Sequence, residues 1–163
     1  MKKFSCLFGV FFGLSLFMSQ SLLAADSPLG YWKTINEETN KPAFIVEIYE
    51  KDNVVYGKIL KSLDGAPQGV CGACEGDKKD QPIEGMVSMW GMKKDGEEYA
   101  DGKILDVKDG KIYTSKIWVE EGNLKVRGYI LFLYRTQTWL RLSDDEKQSY
   151  TAQVAPPVVE DKK

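Results

Sequence analysis

Eight short runs of alternating apolar and polar residues, separated by turn residues, fill the chain between Gly30 and Leu142. Such alternation is typical of strands that bury one face and expose the other. No part of this region shows the 3.6-residue periodicity of a helix. The predicted strands are Gly30 to Ile35, Ala43 to Glu50, Val54 to Leu60, Gly85 to Met92, Glu98 to Asp106, Lys111 to Glu120, Leu124 to Leu133 and Arg135 to Leu142.

The segments between these runs carry residues that reverse the chain. Lys51-Asp52-Asn53 and Glu121-Gly122-Asn123 are polar turns. Asp109-Gly110 is the strongest signal, because glycine accepts the positive φ of a tight hairpin turn. Since an open sheet would leave exposed edges, successive hairpins predict an all-β fold, an eight-stranded up-and-down antiparallel β-barrel.

The first 25 residues have the pattern of a secretory signal peptide. A short basic end precedes an apolar run, Phe4 to Met18, and Ala24-Ala25 provides small residues for cleavage. The apolar run is shorter than the roughly 20 residues that span a bilayer, and no later run approaches that length. We therefore predict a periplasmic or secreted protein without a membrane span.

The chain is thus divided into three predicted regions. A signal peptide covers residues 1–25, a β-barrel domain covers 26–142, and a polar, disordered tail covers 143–163. Ser143 and Glu146 have the spacing of a helix capping box, so a short helix at the start of the tail is the alternative.

Composition excludes several classes of function. The chain has 22 Lys and Arg against 24 Asp and Glu, and removing the predicted signal peptide, with two lysines and no acid, leaves a net charge of -4. This balance predicts no nucleic-acid partner. The chain has no histidine, which excludes Ser-His-Asp and Cys-His catalysis and His-ligated zinc. Paired carboxylates are the remaining catalytic option. We predict no cofactor, no metal and no enzyme activity.

A long loop, 62–84, is rich in glycine and contains Cys71-Gly-Ala-Cys74. CxxC spacing fits a structural disulfide, a redox dithiol or half of a metal site. Acidic Glu75-Gly76-Asp77 follows directly, whereas a reactive dithiol needs a lowered thiol pKa. We therefore favour a disulfide in an oxidising compartment. The loop either packs over the barrel or binds a protein partner of the cell envelope.

The first and last predicted strands carry a pair of residues that could close the barrel. In an even-numbered up-and-down barrel the end of the last strand lies beside the start of the first, which places Arg141 near Gly30-Tyr31-Trp32. A guanidinium over an indole is favourable. Gly-x-Trp on the first strand with an arginine on the last resembles the arrangement of lipocalins and their calycin relatives.

Longer strings resemble the domain of unknown function 2147 family, over Gly30 to Arg141. This resemblance implies an exported bacterial domain with a lipocalin-like barrel and implies no particular activity. The strings are Pro82-Ile83-Glu84-Gly85-Met86 with Trp90-Gly91, Asp101-Gly102-Lys103-Ile104-Leu105-Asp106, Asp109-Gly110-Lys111-Ile112-Tyr113, Val126-Arg127-Gly128-Tyr129 and Arg135-Thr136-Gln137-Thr138-Trp139.

The many aromatic residues either fill a solid barrel or line a cavity. For a cavity we predict apolar walls from Trp90, Tyr113, Ile117 and Tyr129, with polar anchors at Arg127, Arg135 and Gln137. The inner face of the last strand carries either Arg135, Gln137, Trp139 and Arg141 or the residues between them. The prediction is a binder of a small amphipathic or anionic ligand, with an envelope interaction module as the alternative.

Overall fold

The structure is a computed structural model that describes the backbone of residues 27–154 and the side chains of residues 27–150. Eight antiparallel strands form a closed barrel, followed by one helix, α1 (Asp144–Val154). The strands are β1 (Gly30–Asn36), β2 (Lys41–Lys51), β3 (Val54–Ser62), β4 (Val87–Asp95), β5 (Glu98–Leu105), β6 (Ile112–Glu120), β7 (Asn123–Ile130) and β8 (Leu133–Arg141).

Each strand pairs with the next in sequence, and β8 returns to β1 through the pairs Trp32–Arg141 and Lys33–Leu140. This confirms the predicted eight-stranded up-and-down barrel. The closed end, as we call it, carries the β2–β3, β4–β5 and β6–β7 turns and the start of β1. The open end carries the β1–β2 turn, the long β3–β4 loop and the β5–β6 and β7–β8 turns.

Strand alternation decides which side chains enter the barrel. On β7, Leu124 and Val126 are buried inside, whereas Lys125 and Arg127 face outward. The half of the barrel nearer the closed end is filled by side chains of which at most 1% is exposed: Trp32, Ile48, Val55, Met92, Ile117 and Leu124. This packed half forms the floor beneath the open half.

Strand bounds differ from the sequence prediction by up to three residues, and two hairpins differ in their turns. The β7–β8 turn was expected at Tyr134, after a strand ending at Leu133, but it consists of Leu131 and Phe132. Neither of these residue types indicates a turn in a sequence. Leu131 has a φ of 55°, a region that leucine rarely adopts. Asp109-Gly110 lies within a loop of residues 106–111, which is wider than the predicted two-residue turn. The Gly110 N–H donates a hydrogen bond to the carbonyl of Asp106 across this loop.

The β3–β4 loop is packed against the barrel and forms part of its wall. Cys71 and Cys74 form a disulfide, and both side chains are fully buried. Ile83 is also fully buried in the main core. A bridge between Val70 and Pro82 joins the two arms of the loop. The disulfide is therefore a packed part of the core.

Helix α1 corrects the first part of the predicted disordered tail. Its start has the capping box considered in the sequence: the Glu146 N–H donates to Ser143 Oγ (3.3 Å), and the Ser143 N–H donates to Glu146 Oε2 (3.1 Å). Lys33 on β1 forms an ion pair with Glu146 (2.6 Å). The capping box and the ion pair with Lys33 stabilise the helix, although the polar composition of this segment favours disorder.

The predicted signal peptide, 1–25, and the end of the predicted tail, 155–163, lie outside the described residues. Within the described part of the chain, no helix has the length and apolar character needed to cross a membrane.

Candidate ligand-binding site

The closed end is sealed by the first and last strands and by the segment that precedes β1. The Arg141 guanidinium carbon lies 4.2 Å from the centroid of the Trp32 ring. Arg141 Nη2 donates to the carbonyl of Ser27 (3.0 Å), and Trp32 Nε1 donates to that of Pro28 (2.8 Å). Gly30 has a φ of 127°, which lets the chain turn into β1 beside Arg141. The contact between Trp32 and Arg141 is the one that the sequence predicts.

The open half of the barrel contains a cavity of about 700 Å³. This volume lies within the range of small-molecule sites, about 300–1,000 Å³. Its deep part is apolar, formed by Phe44, Val46, Ile59, Val126 and Trp139. These side chains stand on the packed half of the barrel, and the loops of the open end surround the mouth of the cavity.

The inner face of β8 settles the alternative left open by the sequence. Arg135, Gln137 and Trp139 line the cavity, and Trp139 is only 4% exposed. Gln137 Oε1 accepts a hydrogen bond from Trp139 Nε1 (3.3 Å). From the open end inward, the side chains that β8 presents to the cavity are therefore the guanidinium of Arg135, the amide of Gln137 and the indole of Trp139.

Ion pairs lie at the rim. Arg135 pairs with Glu37 in the β1–β2 turn. Lys108, in the β5–β6 loop on the opposite side of the barrel, pairs with Glu38 (2.6 Å). All four side chains are at least one third exposed, so each pair is screened by water and is worth little, about 0–1 kcal/mol. The rim can therefore exchange these partners for those of a ligand.

Tyr113 contributes a further polar group to the rim. Its hydroxyl donates to Asp109 Oδ2 (3.1 Å). Burial and this hydrogen bond raise the pKa of Tyr113, which keeps the phenol protonated. Burial also raises the pKa of Asp109, but hydrogen bonds from the Lys111 N–H and from Tyr113 outweigh burial and bring it below its usual value. Asp109 therefore carries a negative charge at neutral pH.

Four of the predicted lining residues do not line this cavity. Ile117 points inward but is fully buried in the packed half below it. Arg127 and Tyr129 lie on the outer face of β7, because strand alternation sets them opposite to Val126. Trp90 lines a separate groove of about 900 Å³ on the outer wall, together with Tyr129 and Lys78. The alternation of β7 was visible in the sequence, but the outward position of Trp90 depends on irregular pairing in β3, β4 and β5.

The sequence did not identify several residues of the rim. Asn36, Glu37, Glu38 and Lys108 lie between the predicted strands, where no site is predicted, yet all line the cavity. Asn36 Oδ1 accepts hydrogen bonds from the backbone of Glu38 and Thr39, and this fixes the turn that presents both glutamates. Their position at the cavity could have been predicted from the topology, because every second turn of an up-and-down barrel lies at the same end.

The arrangement is suited to holding a molecule with an apolar body and a polar end. The charged groups that could meet a ligand lie at the rim, and the deeper wall is mainly apolar, with Thr34, Ser88 and Gln137 as its polar members. Among residues 27–154, no group of three or more Cys, Asp or Glu side chains is placed to hold a metal ion.

Comparisons with known proteins place this barrel in context. Residues 30–141 match the family described as "Uncharacterized protein conserved in bacteria (DUF2147)". No curated protein shows significant similarity to the chain. Among solved structures, protein HP1028 from the human pathogen Helicobacter pylori, described as belonging to the lipocalin family, is similar with a TM-score of 0.67. The two share 22% identity over 77% of this chain and 89% of the other, which supports a lipocalin-like fold. The resemblance predicted from the sequence is confirmed, and the chain belongs to the DUF2147 family.

Proposed function

We propose that this protein is exported to the periplasm or beyond the cell and there binds a small amphipathic molecule with an anionic head group, without transforming it. The observation that carries the proposal is the cavity of about 700 Å³ with Arg135 at its rim and apolar side chains at its floor. Removing apolar ligand surface from water drives entry, at about 25 cal/mol per Å². The guanidinium of Arg135 can bind a carboxylate or phosphate in a bidentate manner.

The polarity of the walls sets the orientation of the ligand. An apolar tail lies against Val126 and Trp139, and the charged head remains near Arg135 and Gln137. Burying a charge at the apolar floor would be costly, so the reverse orientation is disfavoured. Export is supported by the basic and apolar start of the sequence and is compatible with the disulfide between Cys71 and Cys74.

Two measurements test the proposal. Organic extracts of the purified protein, analysed by mass spectrometry, should contain a bound amphipathic species. Tryptophan fluorescence titrations with hexadecanoic acid and hexadecanol compare two ligands with the same tail. We expect the acid to bind several-fold more tightly, because only the acid can pair with Arg135. An empty extract together with no response to either compound would refute the proposal.

The alternative, an envelope interaction module that uses the loop 62–84, stays a prediction. Deleting this loop would be a poor test, because Cys71, Cys74 and Ile83 are buried in the core. Val70 is 51% exposed, so Val70→Ser alters the surface of the loop without removing core contacts. Loss of a co-purifying envelope protein from this variant would support the alternative.

A further inference from the structure

The β7–β8 turn presents an apolar tip at the open end of the barrel. Five consecutive apolar or aromatic residues are exposed there: Ile130 by 54%, Leu131 by 91%, Phe132 by 87%, Leu133 by 62% and Tyr134 by 62%. Single exposed apolar residues are ordinary on protein surfaces, but a contiguous patch marks a surface that contacts another apolar phase or partner. We call residues 130–134 the apolar tip.

The geometry of the hairpin does not require this composition. The β2–β3 turn uses Asp52 and Asn53, and the β6–β7 turn uses Glu121 and Gly122. Asp, Asn and Gly tolerate positive φ, whereas Leu131 with a φ of 55°, like Glu121 with 52°, adopts it against the preference of its residue type. The turn geometry therefore does not account for the apolar residues of this hairpin, and their exposure points to contact with an apolar phase or partner.

The apolar tip has no polar side. A strand that docks on a protein usually alternates apolar and polar residues, because only one face is covered. Here the alternation is lost across both arms and the turn, so every direction from the tip presents apolar surface. Such a tip suits an apolar medium that surrounds it rather than a partner that covers one face.

Polarity changes in order from the apolar tip toward the closed end, beginning with Tyr134 at the edge of the tip. Tyr129 and Tyr134 lie in contact on the outer wall, with ring centroids 6.2 Å apart. The Arg127 guanidinium lies 4.3 Å from the centroid of Tyr134 and 4.9 Å from that of Trp118. Arg127 donates to Thr136 Oγ1 (2.8 Å) and forms no ion pair with the carboxylates of residues 27–150. Arg127 is partly exposed, so its remaining donors can meet a phosphate.

This order matches the layers of a membrane surface. Aromatic side chains favour the boundary between acyl chains and head groups, and cations favour the phosphate layer. Arg127 is four residues from Leu131, about 13 Å along the strand at about 3.3 Å per residue, or about 10 Å along the axis at a tilt near 40°. Interfacial segments bury their apolar face by about 5–10 Å. Inserting the tip therefore places Arg127 among the head groups.

We propose that the apolar tip inserts into the surface of a phospholipid bilayer, with Tyr129 and Tyr134 at the interface and Arg127 on lipid phosphates. The insertion brings the open end of the barrel to the membrane, because Ile130, Leu133 and Tyr134 also line the rim of the cavity. The insertion does not require an occupant in the cavity.

Vesicle binding of the whole chain tests the proposal. Leu131→Asn with Phe132→Gly gives the hairpin a polar turn of the kind that the chain uses elsewhere, so folding should be kept. Binding to vesicles of phosphatidylethanolamine and phosphatidylglycerol, measured by co-sedimentation, should fall at least tenfold. Arg127→Gln should weaken it several-fold. Leu140→Ser, on the outer wall and 39% exposed, is the matched control and should leave it unchanged.

A second measurement locates the contact on the molecule, so that binding through residues 1–25 cannot imitate it. Phe132→Trp adds a tryptophan at the tip, and Leu140→Trp adds one on the outer wall. Lipids brominated in their acyl chains should quench the added emission of the first variant and not of the second. Equal vesicle binding by the wild type and the polar-turn variant, without quenching at position 132, would overturn the proposal. So would a wild-type dimer in sedimentation that the polar turn dissociates, since a second copy would then cover the tip.

Discussion

Arg141 and Trp32 are direct partners in the register of β8 and β1, and the guanidinium carbon of one lies 4.2 Å from the ring centroid of the other. The pair joins the last strand to the first, where the barrel has its shortest ladder. Hydrogen bonds from both side chains hold the carbonyls of Ser27 and Pro28 over the closed end. This contact is therefore a closure of the fold, far from the rim of the cavity.

Arg141→Leu should lower the free energy of unfolding by about 1–2 kcal/mol, because it removes a cation–π contact and a hydrogen bond. Ligand binding at the open end should not change. Arg141→Lys should recover part of the loss, since an ammonium group can also lie over the indole but makes fewer hydrogen bonds. Urea unfolding measures the effect, with Arg135→Leu as the control that leaves stability nearly constant. An unchanged midpoint for Arg141→Leu would show that the pair does not support closure.

The sequence predicted the contact between Arg141 and Trp32 because two simple rules combine there. The number of strands is even, so the chain ends beside its start, and the two side chains occur at the ends that meet. The same rules predicted the strand order, since turn residues such as Asp52-Asn53 mark most of the hairpins. Local sequence patterns were therefore sufficient to predict the strand order and the closure of the barrel, because each of these patterns indicated a single structure.

The cavity could be predicted only in part. Arg135 and Gln137 line it as expected, but Arg127 was placed on the wrong side, although its neighbours Leu124 and Val126 indicated the inner face. The position of Trp90 was beyond local rules, because bulges in the neighbouring pairings shift the alternation. The β7–β8 turn was missed for a related reason, since nothing in its composition resembles a turn.

Gly110 in the β5–β6 loop packs directly against Ala73 in the β3–β4 loop. A Cβ atom at this position would lie 1.9 Å from the carbonyl oxygen of Ala73, and its φ is 75°. Gly122 has nearly the same φ, 73°, but faces open space. Gly110→Ala should therefore destabilise the protein by more than the roughly 1–2 kcal/mol expected of Gly122→Ala from backbone strain alone. Thermal unfolding of both variants measures the difference, and equal losses would mean that the two loops separate without cost.

Helix α1 should detach from the barrel at acidic pH. The hydrogen bond from Lys33, and then that from the Ser143 N–H, lower the pKa of Glu146 below its usual value. The contribution of Glu146 is thus fully present above the unfolded pKa, about 4.3, and is lost as the pH falls through the folded pKa. Glu146→Gln should weaken amide protection in residues 147–150 at pH 7, and the two proteins should converge below that pKa. Hydrogen exchange at matched pH measures this, and a constant difference at all pH values would contradict it.

The partner of Arg135 at the rim predicts an unusual gain of affinity. Glu37 forms an ion pair with the Arg135 guanidinium. An anionic head group must therefore displace the Glu37 carboxylate and is also repelled by its negative charge. Glu37→Gln should therefore tighten the binding of hexadecanoic acid several-fold, whereas Arg135→Gln should weaken it by a similar factor. Neither change should affect hexadecanol, which serves as the uncharged control of equal length. Fluorescence titration of the three proteins with both compounds measures these ratios. If Glu37→Gln weakened the binding of hexadecanoic acid, Glu37 would be stabilising the conformation of the rim that binds the ligand rather than competing with the ligand for Arg135.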